Sequence, residues 1–116
     1  MTTTRQHNER IMRNYKHKMN RYRLPPERYR ELHAFCIASG RCDIIHTAAV
    51  QASDKIMAEY IILHVTTNEW KWRRLEAVGI PCCGDTFRLY RARFYYLLNT
   101  LLPETGRINV TTNEVH

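Results

Sequence analysis

The sequence predicts a small all-α domain of four to five helices that ends in a helix-turn-helix with a long C-terminal recognition helix. Apolar residues recur at helical spacing in several segments, and glycine or proline stands at the ends of most of these segments. We find no convincing pair of strands, and the only weak candidate is "INVTTNEV" near the C-terminus. With 116 residues, the chain is long enough for one domain with tails.

Residues 1–24 are predicted to form a flexible basic arm. Half of the 18 lysines and arginines fall within the first 30 residues, against only Glu9 and Glu27. Because this stretch has few aliphatic residues, it cannot bury enough apolar surface to order itself alone. Two roles stay open for the arm, namely folding on a partner and keeping the protein soluble. Residues 103–116 are predicted to form a polar C-terminal tail.

Residues 25–102 are predicted to form the helical domain. Its first helix is "PERYRELHAFCIAS", because Pro26 suits a first helical turn and Gly40 ends the segment. The second helix is "CDIIHTAAVQAS", with Asp43 in its first turn and with Ile44 and Ala48 facing inward. A third helix, or a continuation of the second, is "DKIMAEYIILHVT". This segment is apolar around most of its circumference, so we expect it to form the core.

The predicted helix-turn-helix covers residues 68–102. A short helix in "TTNEWKWRRLEAVGIP" has Thr67 or Asn68 as its expected N-cap and ends at Gly79. The apolar face of this short helix consists of Trp72, Leu75 and Val78. After a tight turn, a longer helix runs from near Gly84 to Leu102, where a proline stops it. In a helix-turn-helix, the second helix enters the major groove of DNA.

The longer helix has two different faces on a helical wheel. Its apolar face consists of Phe87, Tyr90, Phe94, Leu97, Leu98 and Leu101. In its first three turns, the opposite face consists of Asp85, Arg88, Leu89 and Ala92. We expect Arg88 to contact guanine, because a guanidinium bonds that base bidentately. Asp85 could accept a hydrogen bond from a cytosine amine, but we expect it to cap the helix instead. The candidate DNA-binding residues are Lys71, Arg73 and Arg74 as phosphate contacts, and Asp85, Thr86, Arg88, Leu89, Arg91 and Arg93 on the longer helix.

The overall charge favours an acidic partner. The formal net charge is +7, which favours nucleic acid first and an anionic membrane surface second. The longest apolar runs, "YIILHV" and "FYYLL", are far too short to span a bilayer, and "MTTTRQHNER" lacks the apolar core of a signal peptide. We therefore expect no membrane association, a cytoplasmic location and four cysteines that are free thiols.

The cysteines and histidines allow two interpretations. In the first, Cys82 is a small residue in the turn beside Ile80, and Cys83 lies near a helix N-terminus that lowers its pKa. In the second, zinc is held by His33, Cys36, Cys42 and His46. Their spacing is irregular for a zinc finger, so we expect no metal. Since no glycine-rich phosphate loop and no paired carboxylates in an apolar setting are present, we expect neither an enzyme nor a cofactor.

The C-terminal half resembles a known family. The stretch "TTNEWKWRRLEAVGIPCCGDTFRLYRARFYYLLNTL" resembles small phage-encoded proteins with the pattern "IPCxxDxxYxxRRKFFxLL" and the broader RinA/ArpU-type phage regulators. The matching residues are Trp72, Leu75, Ile80, Pro81, Cys82, Asp85, Phe87, Tyr90, Arg91, Arg93, Phe94, Tyr95, Leu97 and Leu98. Upstream, "YRELHAFCIASG" is also similar, although "IASGRCD" replaces a longer insert of the family. The resemblance implies a C-terminus similar to region 4 of sigma factors, double-stranded DNA binding and control of phage late or packaging genes in the host cell, with RNA polymerase as a further candidate partner.

Two functional hypotheses follow from these patterns. The first is a DNA-binding transcriptional regulator of phage or prophage type. The alternative is a phage assembly or packaging-associated protein that binds DNA non-specifically, or another protein, through its basic arm. We also expect a homodimer, because "FYYLLNTLL" is apolar nearly all round and leaves a patch around Tyr95, Tyr96 and Leu102 to be covered. The other way to cover this patch is for the N-terminal arm to fold back onto it.

Overall fold

The computed structural model describes residues 4–102 and the side chains of residues 12–102. The described residues form six helices and no strand, which confirms the all-α fold class. The helices are α1 (Thr4–Arg21), α2 (Pro26–Ser39), α3 (Asp43–Ala52), α4 (Lys55–Thr66), α5 (Trp72–Ala77) and α6 (Gly84–Leu101). Helices α2 to α6 lie within residues 25–102, α1 lies in the predicted arm, and the predicted C-terminal tail lies outside the described residues. None of the described helices is both long and apolar enough to cross a bilayer.

Local sequence signals set most helix ends. Helix α2 begins with Pro26 and ends where the Gly40 N–H donates to the Cys36 carbonyl at 2.9 Å, as predicted. Helix α4 is separate from α3 because Asp54 caps it, accepting from the Met57 N–H at 2.7 Å. The N-cap predicted for α5 is wrong. Lys71 occupies that position, while the Thr67 hydroxyl donates back to the Leu63 carbonyl at 3.0 Å and closes α4.

The core lies between α3, α4 and α6, and α2 packs against α4 and α6. Three fully buried alanines on α3 let the backbones of its neighbours approach closely; they are Ala48, Ala49 and Ala52. Helix α4 contributes five buried side chains, as expected of a core helix: Met57, Ala58, Ile61, Ile62 and Val65. The faces differ in detail from the prediction. On α3 Ile44 packs partly buried against the core as predicted, but Ile45 is the fully buried residue, and on α4 Ile56 is 70% exposed.

Residues 4–21 of the predicted basic arm are helical in the structure, and the end of α1 packs against α6. The rings of Tyr22 and Tyr96 meet edge to face with centroids 5.4 Å apart, and the Tyr29 hydroxyl donates to the Tyr22 carbonyl at 3.2 Å. These contacts give α1 a tertiary support that its composition does not reveal. Tyr95 and Leu102 are buried within one chain, so the patch expected to form a dimer interface is largely covered. The homodimer and the flexibility of the arm stay predictions.

Candidate nucleic-acid interface

The turn between α5 and α6 has a defined hydrogen-bond pattern. The Gly79 N–H donates to the Glu76 carbonyl at 3.1 Å, and the Ile80 N–H donates to the Leu75 carbonyl at 3.1 Å. These two bonds form a Schellman motif, which needs a left-handed residue at Gly79, where φ is +88°. Ile80 and Leu75 are both buried, as the apolar contact of this motif requires. The predicted glycine turn therefore has a physical basis, and it directs the chain into α6.

Phe87 fixes the start of α6 against its neighbours. Its side chain is buried, and its ring lies 5.4 Å from the Trp72 ring of α5 and 5.1 Å from the His64 ring of α4. Gly84, the first residue of α6, lies against Trp72, since a Cβ built there would be in ordinary van der Waals contact with the indole at 3.6 Å. The first turn of α6 therefore has a fixed position relative to α5.

The predicted phosphate contacts of α5 are exposed to solvent. Lys71, Arg73 and Arg74 all have exposed side chains. The Arg74 guanidinium lies 4.1 Å from the centroid of the Trp70 ring, and one of its nitrogens is 3.9 Å from a Glu69 carboxylate oxygen. Stacking on an indole holds an arginine in place while its charge stays accessible. The structure thus presents a basic edge along α5.

The start of α6 also presents polar groups to solvent. Asp85 and Arg88 are exposed and form an ion pair at 2.8 Å, one helical turn apart. Thr86 and Leu89 are half-buried, and Arg93 is exposed. The proposed cap role of Asp85 is not what the structure shows, because Cys83 occupies the N-cap and no side chain caps the helix. Asp85 instead orients Arg88.

One predicted interface residue, Arg91, and one residue of the face opposite the apolar face, Ala92, lie elsewhere. Ala92, placed on the open face by the helical wheel, is buried and lines the same cavity as Met19 of α1. Arg91 is half-buried and donates from Nη1 to His64 Nε2 at 3.1 Å. The first turns of α6 are open on this face, whereas Ala92 in the middle of the helix lies near α1. The sequence analysis missed His64 as a partner of Arg91, although its place in an apolar run marked it as inward-facing.

The four cysteines are free thiols in different environments. Cys36 is fully buried, and burial together with the nearby Cys42 thiol raises its pKa to about 12. Cys82 lies half-buried in the turn, where burial raises its pKa. The exposed Cys83 has a lowered pKa because the Thr86 hydroxyl, 3.3 Å from its Sγ, and nearby backbone N–H groups stabilise the thiolate.

The alternative zinc site gains no support from the geometry. Among the described side chains, those of residues 12–102, no three histidine, cysteine or carboxylate groups come together in a way that could hold a metal ion. His33 Nδ1 faces the Tyr95 hydroxyl at 3.3 Å, and His46 is exposed on α3. His33, Cys36, Cys42 and His46 therefore do not form one ligand set.

The comparisons with known proteins give no relatives for this chain. No protein-family model matches it, and neither a curated protein nor a solved structure is significantly similar. The resemblance to phage regulators therefore stays a prediction, and the case for function depends on the geometry of α5 and α6.

Proposed function

We propose that this protein binds double-stranded DNA as a transcriptional regulator, with α5 and the first turns of α6 as its contact surface. The observation that carries the proposal is the α5–turn–α6 unit, in which a Schellman turn and Phe87 fix the exposed start of α6 beside a basic edge. A helix presented in this way fits the major groove end-on, with flanking cations on the phosphates. The role is binding rather than catalysis.

Each part of the surface has a specific task in this proposal. Lys71, Arg73 and Arg74 contact phosphates and set the orientation of the protein on the duplex. Arg88 contacts a base edge, since it is exposed, stands in the second turn of α6 and is held by Asp85. Arg93 is exposed farther along the helix and reaches a phosphate at the rim of the groove.

The biological setting is proposed from the sequence resemblance. It supports a phage or prophage regulator of late or packaging genes that acts in the host cytoplasm, with RNA polymerase as a further partner. A homodimer suits this role, because two copies of α6 would address half-sites roughly 34–36 Å apart.

A selection of bound sequences from a random DNA pool tests the proposal. We expect a preferred site, and we expect Arg88→Ala to weaken binding to it by about 1–3 kcal/mol while reducing discrimination between sites. Arg41→Ala is the matched control, because Arg41 is an exposed arginine that belongs to neither α5 nor α6 and pairs with Glu59 of α4. Failure of the wild-type protein to bind any duplex at low salt would refute DNA binding.

A second candidate is non-specific binding through α1 in a packaging or assembly role. The described side chains of α1, from Met12 onward, include exposed basic residues and no acidic one; the basic residues are Arg13, Lys16, Lys18 and Arg21. Such a helix binds any duplex through phosphate contacts. Equal affinity for all sequences, lost when these four residues are replaced by glutamine but kept in Arg88→Ala, would favour this candidate.

A further inference from the structure

A cavity of about 350 Å³ lies between α1, α2, α4 and α6. Its polar lining groups are Arg88, Arg91, His33, His64, Tyr29 and Tyr95. No carboxylate is among the described residues that line it, so Arg91 gives the recess a positive potential. Arg88 contributes less, because Asp85 pairs with it at 2.8 Å. The volume falls at the lower end of the range of about 300–1,000 Å³ that is typical of small-molecule sites.

Arg91 is held in the cavity wall without losing its charge. His64 Nδ1 donates its proton to the Trp70 carbonyl at 2.9 Å, which leaves Nε2 to accept from Arg91 Nη1 at 3.1 Å. This arrangement requires a neutral imidazole, and burial lowers the pKa of His64 accordingly. A neutral acceptor positions the guanidinium but does not neutralise it, so the remaining N–H groups of Arg91 can bind an anion.

Tyr29 of α2 and Tyr95 of α6 supply aromatic surface and a hydroxyl group to the cavity. The rings of Tyr29 and Tyr95 meet edge to face with centroids 5.6 Å apart. Burial raises the pKa of Tyr95, so its hydroxyl stays protonated and faces His33 Nδ1 at 3.3 Å. A second cavity, of about 300 Å³, shares Tyr29, His33 and Tyr95 with the first. Flat aromatic walls therefore adjoin the two arginines.

We propose that this cavity binds a small phosphorylated molecule of nucleoside monophosphate size. Arg88 and Arg91 bind the phosphate, because guanidinium forks match its geometry bidentately. Tyr29, His33 and Tyr95 contact the organic part of the ligand. A free phosphate monoester is favoured over a DNA backbone, since the site is a recess between four helices whereas a duplex carries its phosphates on a convex surface.

Isothermal titration calorimetry at constant ionic strength tests the proposal, with adenosine 5′-monophosphate, inorganic phosphate and uncharged adenosine as probes. We expect the monophosphate to bind about tenfold or more tightly than adenosine. Arg91→Gln should weaken it by about tenfold or more, because glutamine lacks both the positive charge and the forked donors of the guanidinium. Arg41→Gln removes the same charge from an exposed position outside both proposed sites and should change affinity less than about twofold.

Nuclear magnetic resonance of the histidine rings in the wild-type protein gives a second readout that does not depend on the folding of a variant. The monophosphate should shift the resonances of His33 and His64 and leave exposed His46 unchanged. The proposal is overturned if no phosphorylated probe binds or if adenosine binds as tightly as the monophosphate. It is also overturned if both arginine variants lose affinity equally, or if the His46 resonances shift as much as those of His33 and His64. Displacement of the monophosphate by a short duplex, together with weaker duplex binding by Arg91→Gln, would assign the cavity to DNA phosphate instead.

Discussion

Leu98 and Leu101, one helical turn apart on α6, differ in burial in a way that the helical wheel did not predict. Both belong to the predicted apolar face, yet Leu98 is fully buried and Leu101 is 41% exposed. Leu98→Ala would leave a cavity in the core, and the free energy of unfolding should fall by about 2.7–5 kcal/mol. Leu101→Ala should cost only about 1 kcal/mol, because a partly exposed leucine gains only part of the transfer free energy and alanine is the better helix former.

Urea denaturation followed by far-UV circular dichroism measures both changes. If the urea dependence is the same for each variant, the midpoints report stability directly. In a domain of this size, Leu98→Ala should also lower the melting temperature by roughly 10 °C or more, and Leu101→Ala by less than about 8 °C. Equal losses of stability in the two variants would contradict the orientation of α6, in which Leu98 faces the core and Leu101 faces solvent. A loss for Leu101→Ala that varies with protein concentration would instead indicate that a second copy covers this leucine.

Three further outcomes are expected. Because the folded pKa of His64 lies below its ordinary value of 6.5, the unfolded chain binds more protons, and the free energy of unfolding falls as pH drops from about 7 towards 5. His64→Gln should reduce this fall in urea midpoints, whereas His46→Gln should not. Tyr22→Ala removes the Tyr22–Tyr96 ring contact, which is worth about 0.5–1.5 kcal/mol, and should speed hydrogen exchange in α1 but not in α3. Unchanged exchange in α1 would show that this contact does not hold α1 against α6. Alkylation should be fastest at Cys83 and slower there in Thr86→Ala, and an equal rate in both proteins would contradict the hydrogen bond.

The ends of the helices were the most predictable part of the fold. Pro26 and Gly40 delimit α2, and Gly79 ends α5, because each residue imposes a backbone geometry that depends only on local sequence. The glycine at position 79 also predicted the turn before α6. The N-cap of α5 was mispredicted because Thr67 has another local partner, the carbonyl four residues earlier in α4.

The faces of the helices were less predictable. Periodicity shows that a helix has an apolar side, but it does not show which neighbours cover it or how far the cover extends. Val78 and Ile56 are exposed although both fit an apolar pattern, and Ala92 is buried although it lies opposite the apolar face. For Ala92 the reason is α1, whose Met19 lines the same cavity and whose helicity the composition did not predict.

If both proposals hold, Arg88 and Arg91 let α6 take part in two kinds of binding. Arg88 lies where the open first turns of α6 meet the cavity, since it is exposed, bonds to Asp85 and also lines the recess. Arg91 is directed to His64 and belongs to the cavity alone. A guanidinium that holds a phosphate in the cavity has fewer donors left for a base, so a bound monophosphate should weaken a contact made by Arg88 but none made along α5. The two proposals are therefore separable: Arg91→Gln should weaken the monophosphate and spare DNA, whereas Arg73→Gln should weaken DNA and spare the monophosphate.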